Sequence, residues 1–205
     1  MAIKAIIIDY GEVVATGYDG VEYLIAAEFP IEPEEFMEQR RIANEALLNL
    51  MRGRMTEREY IIDHLLKGTG WTITPERLME LIRQNLNQPN QEVIRVLDGL
   101  RGKYPLMLFS DNLHEWVEYI RNTSELLDYF DACYFSNDIG MVKSDDGAFE
   151  YVVSDLELLP SEILFIDDRR ENLESALRCG LNVAWYLGID SLVNSLKGFD
   201  IDIDS

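Results

Sequence analysis

The feature that most restricts how this chain can fold is a set of short apolar runs that stop abruptly at polar residues. Residues 3–8 end before Asp9, 106–109 before Ser110, 163–166 before Asp167, and 183–187 before Gly188, with a weaker fifth run over 132–135. None alternates apolar and polar residues as a half-exposed strand would, so each reads as a strand covered on both faces. Helical patterns fill the intervals, and strands of this kind alternating with helices build a parallel, doubly wound α/β sheet.

One interval breaks the rhythm. From residue 9 to residue 105 the chain runs far beyond an ordinary connection, and it carries helical patterns rather than low-complexity sequence. Across 33–51 the apolar residues Phe36, Met37, Ala43, Leu47, Leu48 and Leu50 recur at helical spacing. Thr56 with Glu59 forms a capping box that opens a helix over 57–66, and Thr74-Pro75 places a cap and then a proline at the start of another. After Pro89, a helix over 91–100 leads back to the sheet. The expected organisation is therefore an α/β core from 1–15 and 89–205, with a helical domain inserted at 16–88. No internal repeat is visible, and the tail GFDIDIDS is too short to interpret.

Composition narrows the partners. With 205 residues and 47% hydrophobic content there is material for a real core in one or two domains. The 18 Lys+Arg stand against 38 Asp+Glu, a net charge of −20. Binding to nucleic acid or to an anionic membrane needs clustered basic residues, so neither is expected as a partner. No apolar run reaches the roughly 18 residues of a membrane span, and MAIKAIIIDY resembles no signal peptide. A soluble, cytoplasmic protein is the expectation. Residues 102–205 hold 7 Lys+Arg against 21 Asp+Glu, a net −14 compared with −6 before them, so some carboxylates are candidates to hold a cation. Cys133 and Cys179 lack the spacing or density of a disulfide framework or zinc site and read as reduced, small apolar residues.

In an open parallel sheet the strand C-termini share one edge, and ligands bind outside it. Here that edge would carry Asp9, Ser110, Asp167 and Asp168. Any one polar residue at a strand end is commonly just a turn or cap, but their joint occurrence is harder to explain that way. Three carboxylates gathered at neutral pH repel one another, so their pKa values rise or a hard cation neutralises them, and magnesium suits such a donor set. Lys143, in the stretch GMVK, would add a charge able to orient Asp9 and neutralise phosphoryl oxygens.

These residues resemble four motifs of the haloacid dehalogenase superfamily, in its phosphatase-like branch with an α-helical cap. IIIDYGEVV resembles the strand ending in a nucleophilic Asp, LMLFSDN the strand ending in Ser or Thr, GMVK the lysine loop, and FIDDRRENLESALRCGL the acidic pair, with Asn172, Ala176 and Gly180 following. RGRMTEREY resembles a cap segment of the glucose-1-phosphatase and epoxide-hydrolase-phosphatase type. The resemblance implies that Asp9 forms an aspartyl-phosphate. Ser110 and the backbone N–H of Asp111 would bind phosphoryl oxygens, with Gly11, Glu12 and Asn112 also lining the substrate site. Lys143 would brace nucleophile and phosphate. Asp9, the Gly11 carbonyl, Asp167 and Asp168 would hold Mg2+, with Asp168 favoured as the direct ligand of the pair.

Three positions depart from the pattern. Gly11 stands where the usual phosphatase has an Asp that protonates the leaving group and then activates water, a role worth roughly 10²- to 10⁴-fold. The glucose-1-phosphatase-like branch shares this glycine. Glu12, His114 or Asp111 are the candidates to replace it. Asp111 replaces a common Asn and brings an extra negative charge toward the expected phosphate, and Ser144 replaces the proline that commonly follows the lysine. The cap residues Arg40, Arg41, Arg52 and Arg54, and Tyr10 and Tyr18 near the entrance, are candidate substrate contacts that could equally be surface ion pairs or packing residues. The leading expectation is a magnesium-dependent phosphomonoesterase acting on a small phosphorylated metabolite, with a sugar phosphate as the finer guess. The alternatives are a 2-haloacid dehalogenase, which the glycine at position 11 disfavours, and a phosphometabolite-binding or regulatory module with weak turnover.

Overall fold

The computed structural model describes residues 2–203; Met1, Asp204 and Ser205, the outermost residues of the expected core segments, lie outside the described residues. Five strands form one sheet: β1 (Ala5–Ile8), β2 (Leu106–Ser110), β3 (Ala132–Phe135), β4 (Ile163–Asp167) and β5 (Asn182–Trp185). Their spatial order is β3-β2-β1-β4-β5 and every neighbouring pair is parallel. Successive apolar side chains of each run go to opposite faces. Ile6, Ile8, Leu106, Leu108, Leu164 and Ile166 join one core cluster, and Ala5, Ile7, Met107, Phe109, Ile163 and Phe165 join another. This is why the runs show no alternation.

Helices cover both faces. On the first, α6 (Gln91–Leu100), α7 (His114–Thr123) and α11 (Ile189–Gly198) supply residues such as Val93, Leu97, Val117, Ile120 and Leu196. On the second, α9 (Ala148–Ser154) and α10 (Arg170–Arg178) supply Phe149, Val152, Leu173 and Ala176. The short α8 (Ser136–Ile139) follows β3. The strand order reverses at β1, whose two neighbours are β2 and β4, so the ends of these strands flank the crevice where doubly wound sheets bind ligands.

Between β1 and α6 lie α1 (Val21–Glu28), α2 (Pro33–Ile42), α3 (Asn44–Met51), α4 (Glu57–Tyr60), a π-helical turn over Ile61–Leu65, and α5 (Pro75–Asn85). They share a separate apolar cluster, including Ile25, Phe36, Leu50, Leu65, Leu78 and Leu81, that reaches the sheet-bearing part through Leu113 and Trp116. The capping box at Thr56 and Glu59 forms as read, and Thr74 caps α5 through Arg77 N. Two readings need adjustment. The run over 33–51 is two helices, interrupted at Ala43. The helix over 57–66 makes one α-helical turn and then widens into the π turn. Among the described residues no helix is long and apolar enough to cross a membrane, and both cysteines are free.

One buried acid ties the helical layer to the rest of the chain. Glu57, 3% exposed, accepts from both Arg83 Nη1 (2.9 Å) and Nη2 (2.6 Å), and from Trp116 Nε1 at 2.6 Å, so α4, α5 and α7 meet on one carboxylate. Removing one member of such a set leaves the others buried without a counter-charge, at a cost of about 3–5 kcal/mol. Glu57→Ala should lower unfolding free energy by that amount in denaturant titration. A loss below about 1 kcal/mol would mean the network contributes little.

Candidate active site

The polar residues that end the strands converge as the topology requires. Asp9 follows β1 and its N–H donates to Ile166 O of β4 (2.9 Å), which holds it beside Asp167. Lys143, in the loop between α8 and α9, is 1% exposed and lies between the Phe109 and Phe165 rings. Its Nζ is 2.5 Å from Asp9 Oδ1 and 2.7 Å from Asp167 Oδ2. Its backbone N–H donates to Asp111 Oδ1 at 2.9 Å. The extra carboxylate expected to face a phosphate therefore also clamps the lysine loop, a role no spacing argument reveals.

Asp167 is fully buried and saturated. Besides Lys143 it accepts from Arg169 N (2.7 Å) and, through both oxygens, from Asn172 Nδ2 (3.1 and 3.0 Å). Asp168 contrasts with it, because its Oδ1 is buried with no hydrogen-bond partner. Ligand atoms of Asp9, Asp167 and Asp168 all lie within 4.8 Å of one another. Four carboxylates, counting Asp111, thus face the cations Lys143 and Arg169. A donor set of oxygens with excess negative charge and an orphaned carboxylate oxygen fits a hard divalent cation, with Asp168 as the side chain left free to ligate.

The charges shift one another accordingly. Burial, the largest influence, pushes the Asp9 carboxyl up to about 7; Lys143 pulls it down, and Asp167 and Asp168 raise it again. Burial alone would pull the Lys143 ammonium down, but Asp167, Asp9 and Asp111 together hold it above its ordinary value. Asp111 and Asp168 are raised, chiefly by burial.

In front of this cluster is a cavity of about 460 Å³ lined by Asp9, Gly11, Glu12, Ser110, Asp111, Asn112 and Lys143. All seven residues assigned to catalysis or substrate binding are thus brought together, while Asp167 and Asp168 sit outside the lining. Glu12 adopts a left-handed φ of 60°, and its Oε1 accepts from Gly17 N (2.8 Å) and Asp19 N (3.2 Å), curling the chain over the cavity. A Cβ at Gly17 would meet that oxygen at 2.9 Å, so a side chain there would displace the Glu12 carboxylate from its present position. Asn112 Oδ1 accepts from Leu113 N at the start of α7. His114 is an exposed residue paired with Glu118 (3.5 Å) and does not line the cavity, so it is no substitute for the missing acid. Tyr10 is buried, with its hydroxyl donating to Asn87 Oδ1. Arg169, Asn172 and Trp116 also line the cavity and went unassigned in the sequence, because their approach depends on how α7 and α10 start.

The helical layer forms the opposite wall through Tyr18, Arg40, Asn44, Leu47, Leu48 and Met51. It docks through residues 51–53 on the segments that flank Asn112 and Lys143. Ser136 Oγ donates to Met51 O (2.7 Å) and accepts from Asn112 N (2.9 Å). Arg52 makes a two-pronged pair with Asp145 (2.7 and 2.5 Å), whose Oδ2 also accepts from Val142 N beside Lys143. A Cβ at Gly53 would lie 2.8 Å from Asn137 O, so this close approach needs glycine.

A sequence profile of haloacid dehalogenase-like hydrolases matches residues 3–180. The chain belongs to that family. A 128-residue stretch is 30% identical to D-ribitol-5-phosphate phosphatase of Bacteroides thetaiotaomicron, spanning 58% of this chain and 62% of that protein. The fold is similar to that of a haloacid-dehalogenase-family enzyme of B. thetaiotaomicron solved with magnesium and inorganic phosphate (TM-score 0.67, 20% identity, 90% of this chain and 94% of that one). It is similar also to L-2-haloacid dehalogenase of Xanthobacter autotrophicus with chloropropionic acid covalently bound (TM-score 0.68, 19% identity, 98% and 84%). At these identities the two structures speak for the fold alone, a doubly wound hydrolase core.

The Arg52–Asp145 contact carries a pH test. Arg52's hydrogen bonds, the largest influence, hold the Asp145 carboxyl below its ordinary 3.8. A carboxylate depressed on folding stabilises above its unfolded pKa, and that contribution disappears as pH falls through the folded one. Asp145→Asn should therefore cost about 1–2 kcal/mol at pH 7, allowing for partial solvent screening. Urea titrations from pH 7 downward should show the gap constant to near pH 4 and closing below it; a gap that widens in acid would contradict the assignment.

Proposed function

We propose that this family member is a magnesium-dependent phosphomonoesterase of a small phosphorylated metabolite, with sugar phosphates as the substrate class. The observation that carries this reading is the buried Asp9–Lys143–Asp167 cluster beside the unpartnered oxygen of Asp168, at the floor of a cavity. The phosphatase named among the relatives supports it, as does the neighbour solved with magnesium and phosphate.

In this reading an Asp9 carboxylate oxygen attacks phosphorus and the bond to the substrate's leaving oxygen breaks, giving an aspartyl-phosphate and the oxyanion of the leaving group, which takes its proton from water. Water then attacks phosphorus, the bond to Asp9 breaks, and Asp9 and inorganic phosphate are released. Lys143 holds the attacking carboxylate in place and offsets charge on the phosphoryl oxygens, while Ser110 and the Asp111 N–H hold those oxygens. Asp9, the Gly11 carbonyl and Asp168 would hold Mg2+, with Asp167 as the residue that positions Lys143. The ion supplies charge neutralisation that lets the phosphate approach a cluster of carboxylates. The helices over 21–85 act as the cap, sheltering the reaction from bulk water and contacting the non-phosphate part of the substrate.

Gly11 offers no proton donor, and the Glu12 carboxylate oxygen facing Gly17 and Asp19 is committed to the loop. Leaving groups that depart without protonation, such as aryl and anomeric phosphates, are therefore the favoured ones. Position 11 has an ordinary φ and a Cβ there would meet only Gly17 Cα at 4.0 Å, so an acid can be introduced without backbone strain.

A phosphate-release panel of aryl, anomeric and alkyl phosphates tests the proposal. Wild type should hydrolyse the aryl and anomeric compounds only with magnesium, Asp9→Asn should release none, and Gly11→Asp should raise alkyl phosphate turnover by about 10-fold or more. Phosphate release that survives Asp9→Asn would sink the nucleophile assignment. Magnesium-dependent binding of phosphometabolites with no release would favour a binding module instead.

A further inference from the structure

Of the four arginines picked out in the helical segment, three are matched. Arg41 pairs with Glu38 (2.6 Å), Arg52 with Asp145 (2.5 Å), and Arg54 donates to Asn49 Oδ1 (2.9 Å). Arg40 differs. Its side chain is only 12% exposed and lines the cavity, yet its carboxylate neighbour Asp19 is 3.9 Å away and is itself 56% exposed. The guanidinium carbon lies 3.8 Å from the centre of the Tyr18 ring, a cation–π contact with the ring face.

A second observation points to the same place. Tyr18, 8% exposed and lining the cavity, has a buried hydroxyl with no hydrogen-bond partner, as does Tyr60 behind it. Arg40's charge acts on both hydroxyls. Tyr18 is held by stacking between Phe36 (6.3 Å) and Trp116 (5.7 Å). Buried donors left unmatched are costly, and here two such hydroxyls lie near one positive charge, with Asn44, at the start of α3, also lining the cavity.

We propose that Tyr18, Arg40 and Asn44 form a subsite for a carboxylate at the end of the substrate remote from its phosphate, which makes the substrate a phosphorylated sugar acid. This rests on the phosphomonoesterase reading above. A carboxylate fits better than a neutral hydroxyl because a guanidinium fork binds it through two charge-assisted hydrogen bonds. It fits better than a second phosphate because one cation serves this wall, whereas the remaining lining cations, Lys143 and Arg169, belong to the carboxylate cluster on the floor.

The test measures inhibition of magnesium-dependent p-nitrophenyl phosphate hydrolysis by ω-phosphonocarboxylates of increasing chain length, each paired with the alkylphosphonate of equal length. In wild type the best carboxylate should bind about 10-fold or more tighter than its alkyl partner. Arg40→Gln should bring that ratio to within about threefold, and Arg40→Lys, which keeps the charge but not the fork, should retain part of it. Ratios near one throughout the wild-type series, or a high ratio that survives Arg40→Gln in protein still cleaving the reporter, would overturn the subsite alone. Failure of wild type to cleave the reporter at all would overturn the phosphomonoesterase reading and the subsite with it.

Discussion

The arrangement depends on one buried ammonium. Lys143 has almost no exposure to water, and removing such a charge from solvent costs several kcal/mol unless partners compensate. The compensation comes from Asp9 at the end of β1, Asp167 at the end of β4, and Asp111 just after β2. These three strands are neighbours in the sheet only because the strand order reverses at β1. Sheet topology and site electrostatics are thus the same constraint: a parallel register that puts Ile8 beside Ile166 delivers the carboxylates to the lysine.

The cluster still carries more negative than positive charge, and the surplus is unevenly distributed. Asp167 spends its oxygens on Lys143, Arg169 and Asn172, while Asp168 keeps one buried oxygen unmatched. That division of labour between adjacent residues follows from the start of α10, whose first turn turns Asn172 back toward Asp167. The same economy of contacts joins the helical layer to the site. Met51, Arg52 and Gly53 rest on Ser136, Asp145 and Asn137, and Ser136 and Asp145 in turn hold the Asn112 and Val142 N–H groups. Movement of the helical layer is therefore felt directly in the loops that carry Asp111 and Lys143.

Much of this was legible in the chain. Strands buried on both faces must be continuously apolar, so all five runs appear as strands, with shifts of only a residue or two at their ends. The residues that terminate them gain their meaning from the shared edge, which the parallel reading already supplies. What stayed hidden depends on side-chain direction between distant segments. Arg40 and Arg52 look alike in sequence, yet only tertiary packing sends one to the cavity and the other to Asp145. Asp111 reads as an unfavourable charge until its bond to the Lys143 N–H is seen, and the interruption at Ala43 is a local event that apolar spacing passes over.

The central claim is that Asp9 is the atom donor that attacks phosphorus. Its most direct test is acid-quenched, single-turnover reaction with an aryl phosphate in the presence of magnesium, followed by mass spectrometry of the peptide containing Asp9. A phosphoryl adduct on Asp9 that is removed by hydroxylamine is the predicted result, since an acyl phosphate is acid-stable but labile to that nucleophile. Release of phosphate with no adduct at Asp9 at any quench time, or an adduct on another residue, would contradict it.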